Sequence, residues 1–161
     1  MVKGMPSKAR KILTCDPIAE RSFIRCCIEL TELTSRVNFN KSDFHQYGIG
    51  LVFIELRRQH SIGFVQGNSN LLYNAISPII KKQTAGILAD IVSEFVLISH
   101  WQYWARRVAN ASYRRQLLVC NWNTRNKILD DAVSLNLIET KWFDDSLRLS
   151  DTRQRLEGWI K

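Results

Sequence analysis

The stretch over residues 112–150, SYRRQLLVCNWNTRNKILDDAVSLNLIETKWFDDSLRLS, constrains the fold more than any other part of the chain. Tyr113, Leu117 and Leu118 give a short helix an inner face and leave Arg114 and Arg115 outside. Residues 120–123 read as a turn, where Asn and Thr side chains can satisfy the amides that open the next helix. That helix spans about 124–135, with Ile128, Leu129, Ala132 and Val133 inward and Asn136 as a left-handed cap. Residues 137–143 then read as a strand, Asp144 and Asp145 as a tip, and residues 146–149 as the returning strand.

Around this stretch the pattern is helical. A flexible basic tail, residues 1–15, precedes a single α-rich domain over 16–161. Asp16 and Pro17 supply a cap and a first turn for a helix over about 17–37, with Phe23, Cys27, Leu30, Leu33 and Val37 on one stripe. Ser42 caps a second helix to about Gln59, weakened by Gly48 and Gly50, and residues 60–67 form a loop. A third helix over about 68–77 is stopped by Pro78. Thr84 caps the longest helix, about 85–110, which carries Ile87, Ile91, Phe95, Ile98, Trp101, Ala105 and Val108 near one side. Ser150 or Asp151 caps a last helix with Leu156, Trp159 and Ile160. The expected fold class is mainly α, a helical N-terminal part followed at about 85–150 by a helix-turn-helix with a small two-stranded β wing.

Charge is distributed unevenly along this plan. Lys3, Lys8, Arg10 and Lys11 give the tail +4, and residues 12–94 balance. Between Phe95 and Leu129 there are Arg106, Arg107, Arg114, Arg115, Arg125 and Lys127 and no acid, while the remainder carries −2. An acid-free window centred on the proposed turn points to a polyanionic partner, because a generic solvated surface mixes the signs.

Other classes find little support in the residues. His45, His60 and His100 are scattered, and no nucleophile motif, phosphate loop or paired carboxylates accompany them, so no enzyme is expected. Cys15, Cys26, Cys27 and Cys120 fit no zinc spacing and are expected to be reduced packing thiols; neither metal nor cofactor is expected. The apolar segment over 87–98 contains Asp90 and Glu94 and is too short to span a bilayer, and no targeting segment shows, so the expected setting is cytoplasmic and away from membranes.

The runs TRNKILDDAVSLNLIETKW and SLRLSDTRQRLEGWI resemble the recognition helix, wing and following helix of winged helix-turn-helix regulators of the multiple-antibiotic-resistance (MarR) type. The resemblance covers residues 112–160, with Asn136-Leu137-Ile138 and Leu149-Ser150-Asp151 in place of the family's own signatures. It implies a homodimer on a pseudo-palindromic DNA site with one recognition helix per half-site; in such a dimer the N-terminal helices and the helix through Trp101 must supply much of the interface. On this reading the protein is a sequence-specific double-stranded DNA-binding regulator with the helix at about 124–135 in the major groove. Asn123, Thr124, Arg125, Asn126 and Lys127 are the base-reading candidates, since Asn suits adenine and Arg suits guanine. Arg106, Arg107, Arg114, Arg115, Lys141 and Arg148 are the phosphate candidates. A replication or partition protein of a plasmid or phage, and a winged-helix protein-interaction module, are the alternatives; no feature supports a small-molecule effector.

Overall fold

Asp16 opens the first helix: its carboxylate accepts the Ala19 amide at 3.1 Å, and Pro17 sits in the first turn, where no amide hydrogen is needed. This helix, α1 (Pro17–Glu29), is followed by α2 (Leu33–Arg36), α3 (Tyr47–Ser61), α4 (Ser69–Ile80), α5 (Thr84–Ser93), α6 (Trp101–Ile128) and α7 (Leu135–Glu157). Single 3-10 turns lie at Lys41–Asp43, Lys81–Gln83 and Ile98–His100. The computed structural model describes residues 15–128 and 134–158, without the side chains of Lys127 and Leu135. The expected basic tail up to Thr14 and the inward positions Leu129, Ala132, Val133, Trp159 and Ile160 lie outside the described residues.

The core forms where α1 packs against α3, α5 and α6. Phe53 of α3 is its centre, with ring centroids 6.1 Å from Phe23, 6.2 Å from Phe39 and 5.1 Å from Phe44. Ala105, Val108 and Ala109 of α6 complete the cluster, and their small size lets this helix lie close to α1. None of the four cysteines is in a disulfide. Burial pushes the Cys26 thiol up to about 11 and the Cys27 thiol well above its ordinary value, which suits thiols that only pack.

Helix α3 starts without a side-chain cap of its own, and α1 supplies one. The Glu20 carboxylate, fully buried, accepts the His45 amide at 2.6 Å and the Gln46 amide at 3.3 Å. Gly48 and Gly50, which weaken the helix on propensity alone, are the reason α3 can sit here. A Cβ at Gly50 would collide with the Lys41 carbonyl and one at Gly48 with the Ile87 side chain. Gly50→Ala is therefore expected to cost about 1–3 kcal/mol through forced backbone displacement, read as a lowered urea midpoint.

Tertiary hydrogen bonds shorten several expected helices. The helix over 17–37 breaks at Leu30, whose backbone is extended, because Thr31 donates its amide to the Val65 carbonyl at 2.9 Å and its hydroxyl to Phe64. Pro78 does not end α4: it lies near the C-terminal end, where its missing amide leaves one exposed turn short of a bond. The helix expected over 85–110 divides at residues 94–97, where Glu94 turns extended and its carboxylate meets Arg21 Nε at 2.6 Å.

The largest correction concerns residues 112–150. No turn interrupts residues 120–123, which lie inside the 28-residue α6. Neither strand of the wing exists: residues 137–149, their acidic tip and Asn136 belong to the 23-residue α7, and among the described residues no strand forms at all. The physical reason is that neither glycine nor proline occurs between Gly86 and Gly158. No residue between Ser112 and Ser150 forces a tight turn, and Asp144 with Asp145 lacks the glycine that a two-residue hairpin tip favours. Ser150 and Asp151, expected to cap a last helix, lie within α7. The class is all-helical rather than a winged helix-turn-helix.

Candidate functional site

Helices α6 and α7 make an antiparallel hairpin, and its root is built on one carboxylate. Asp43, fully buried, accepts from Arg155 at 2.6 and 3.0 Å, from the Ser112 hydroxyl at 2.7 Å and from the Asn40 amide at 2.7 Å. These bonds tie the 3-10 turn at Lys41–Asp43 to both helices. Burial works to raise the Asp43 pKa, and the Arg155, Asn40 and Ser112 hydrogen bonds outweigh it and hold the group below its ordinary value. Thr152 donates to Gln116 at 3.0 Å, and Leu156 is buried beside them.

Beyond the root the inner seam of α7 is regular. Ile138, Lys141, Asp145, Leu149 and Thr152 recur at intervals of three and four residues, are all half-buried, and lead to buried Leu156. Between the helices a cleft of about 330 Å³ is lined by Arg115, Val119, Asn123, Asp145 and Arg148 among others. Cys120, on its wall, has its thiol pKa raised by burial and by the nearby Asp145, which disfavours the thiolate.

The predicted phosphate candidates divide into two groups. Arg107 and Arg115 are engaged inside the protein. Arg107 Nε donates to Asp16 at 2.7 Å, and its guanidinium lies 5.5 and 5.4 Å from the ring centres of Tyr103 and Trp104. Arg115 donates to the Asp43 carbonyl and lies 3.7 Å from Glu20; burial lowers its pKa, against the pull of Glu20 and Asp43. Lys141 is half-buried on the inner seam, and Arg148 stands exposed at the cleft edge.

Arg106, Arg114 and Arg125 are exposed, and none of them pairs with an acid among the described residues. They share a stripe. Arg106, Asn110, Arg114, Leu117, Asn121, Arg125 and Ile128 recur at intervals of four and three, and all seven are exposed. Of the base-reading candidates only Arg125 belongs to this stripe. Asn123 turns to the cleft, Thr124 is half-buried, Asn126 is exposed off the stripe, and Lys127 lies outside the described side chains. All five lie near the C-terminal end of α6 rather than at a helix N-terminus. Sequence reasoning missed Asn110 and Asn121; an unbroken helical period from Trp101 onward is the signal that places them.

The hairpin also exposes apolar side chains. Leu118, Val119 and Trp122 stand out on α6, and Leu137, Trp142, Phe143 and Leu147 on α7. Among the described residues no three potential metal ligands converge, and no single helix is long and apolar enough to cross a membrane. No family model, no curated protein and no solved structure matches the chain.

Proposed function

We propose that this protein binds double-stranded DNA by laying the outer stripe of α6 against the phosphate backbone. The observation that carries the reading is the stripe itself, with three exposed arginines and two asparagines and no acid along a 28-residue helix. At a rise of about 1.5 Å per residue, Arg106 and Arg114 lie about 12 Å apart and Arg125 a further 16 Å or so along the axis. Such a row can meet phosphates spaced along the duplex, and Asn110 and Asn121 add donors and acceptors suited to base edges. The recognition-helix arrangement has no part in this reading, because the helix that bears the cations is the long one.

Phosphate contacts release counterions, so the binding constant must fall steeply with salt. In the triple variant Arg106→Ala, Arg114→Ala, Arg125→Ala the slope of log binding constant against log salt is expected to lose about 2.7, at about 0.9 per contact removed. Arg107→Ala is expected to leave the slope unchanged, since that guanidinium serves Asp16. Duplex retention by wild type that is absent at low salt, or a slope unmoved in the triple variant, would sink the proposal.

A second reading rests on Leu117 and Ile128 within the stripe and on exposed Trp122 beside it. An acidic protein with an apolar face would cover these as well as the arginines. It predicts that Leu117→Ser weakens partner binding as much as Arg114→Ala, whereas DNA binding responds to the arginine alone.

A further inference from the structure

Helix α7 carries a second seam on the side away from α6. Asn136, Thr140, Phe143, Leu147, Ser150 and Gln154 recur at intervals of four, three, four, three and four, and every one is exposed. Phe143 and Leu147 are 59% and 51% exposed at its centre. The seam is uncharged, although the helix around it is rich in charge: Glu139, Asp144, Asp151 and Arg153 flank it, all exposed. An uncharged stripe with this spacing, bordered by ions, has the form of a coiled-coil contact surface that lacks its partner.

The stripe is complementary to its own reverse. When a second α7 is laid antiparallel with the centre at Asp145, Phe143 meets Leu147, Thr140 meets Ser150, and Asn136 meets Gln154. Apolar faces apolar, hydroxyl faces hydroxyl, and amide faces amide, each layer occurring twice by symmetry. The same register sets Glu139 of each copy beside Arg153 of the other along one edge. Arg153 is held on the surface there by Glu157 at 3.1 Å, one turn further on. Along the other edge Asp144 meets its own mate across the two-fold axis. Binding of an unrelated helix would require none of these matches.

We propose that the protein forms a two-fold dimer through antiparallel pairing of the outer seam of α7 with that of a second copy. The inference is independent of DNA binding, which uses the opposite helix of the hairpin. Only the two Phe143–Leu147 layers are apolar, so the association is concentration-dependent rather than obligate. Mass by sedimentation equilibrium, across micromolar to millimolar chain, is expected to rise from 18.7 kDa toward twice that value.

Leu147→Asp places two carboxylates in the apolar layers and is expected to weaken the dimer more than about 100-fold. Leu147 is exposed in the monomer, so helical circular dichroism is expected to be unchanged, which separates loss of pairing from loss of folding. The register is tested by charge exchange. Glu139→Arg and Arg153→Glu are each expected to weaken the dimer about tenfold. The double exchange restores it, and Asp144→Asn tightens it. A chain that stays monomeric at millimolar concentration overturns the proposal, as does a dimer indifferent to Leu147→Asp. A dimer that responds to Leu147→Asp but is not rescued by the double exchange overturns the antiparallel register.

Discussion

Asp43→Ala is expected to lower the stability of the whole chain by about 3–5 kcal/mol, the range for breaking a buried ion pair by removing one partner. Asp43 is fully buried, and three polar groups from three segments converge on it: the Arg155 guanidinium, the Ser112 hydroxyl and the Asn40 amide. Alanine leaves all three without their acceptor, and Arg155 retains only the Asn38 carbonyl at 2.7 Å. A double-mutant cycle with Arg155→Met separates the pair from the stranded charge: the double variant is expected to recover part of the loss, because no unpaired guanidinium remains. Urea unfolding monitored by circular dichroism provides the measurement. Asp43→Ala as stable as wild type would show that the hairpin root does not depend on this group.

The same residue sets an acid limit. Its folded pKa lies below the ordinary 3.8, so the stability it contributes is fully present above that value and is lost as pH falls through the folded one. Glu20 runs the other way. Burial raises its folded pKa above the ordinary 4.5, so protonating Glu20 as pH falls favours the native state until the unfolded chain is protonated too. The Asp43 contribution is therefore expected to be lost only as pH falls below 3.8, and Asp43→Ala is expected to remove that part of the acid limb of the profile.

These two carboxylates also show what the sequence made legible. Local signals were readable: the Asp16 and Pro17 cap, the stripe of Phe23, Cys27 and Leu33, and the helical character of most of the chain. Breaks imposed by distant groups were not, because Thr31 stops the first helix by bonding to residues 64 and 65. Arg107 and Arg115 read as surface cations because Asp16, Glu20 and Asp43 lie more than seventy positions away in the chain. Residues 112–150 failed for a different reason. Asn, Thr and Asp there have turn and cap chemistry, and Leu137, Ile138, Trp142 and Phe143 suit a strand. The absence of any glycine or proline from Ile87 to Glu157 outweighs both, since helix satisfies each backbone group locally. The acid-free window over 95–129 was legible throughout, and its exposed members now fall on one face of one helix.

Phe53→Ala is expected to cost about 3–5 kcal/mol, comparable with Asp43→Ala but by the opposite physics. The ring is fully buried between Phe23, Phe39 and Phe44, which come from α1 and from the segments flanking the 3-10 turn. Truncation opens a cavity in a close-packed aromatic cluster, and a site that relaxes only partly does not regain the lost contacts. Arg57 adds a second loss. Its guanidinium lies 4.6 Å from the centre of the Phe53 ring while donating to the Thr34 and Val37 carbonyls at 3.0 Å, so the ring helps hold the arginine that closes α2. Phe53→Leu, which keeps most of the volume, is expected to cost well under half as much. The two large losses are distinguishable by hydrogen exchange. Phe53→Ala is expected to speed exchange in α1 and α3, whereas Asp43→Ala is expected to act first on the α6–α7 root, because the carboxylate joins the hairpin to the body and the ring joins the body to itself. Equal acceleration of both regions in both variants would mean that body and hairpin unfold as one unit, and that the arm which carries the stripe has no independent mobility.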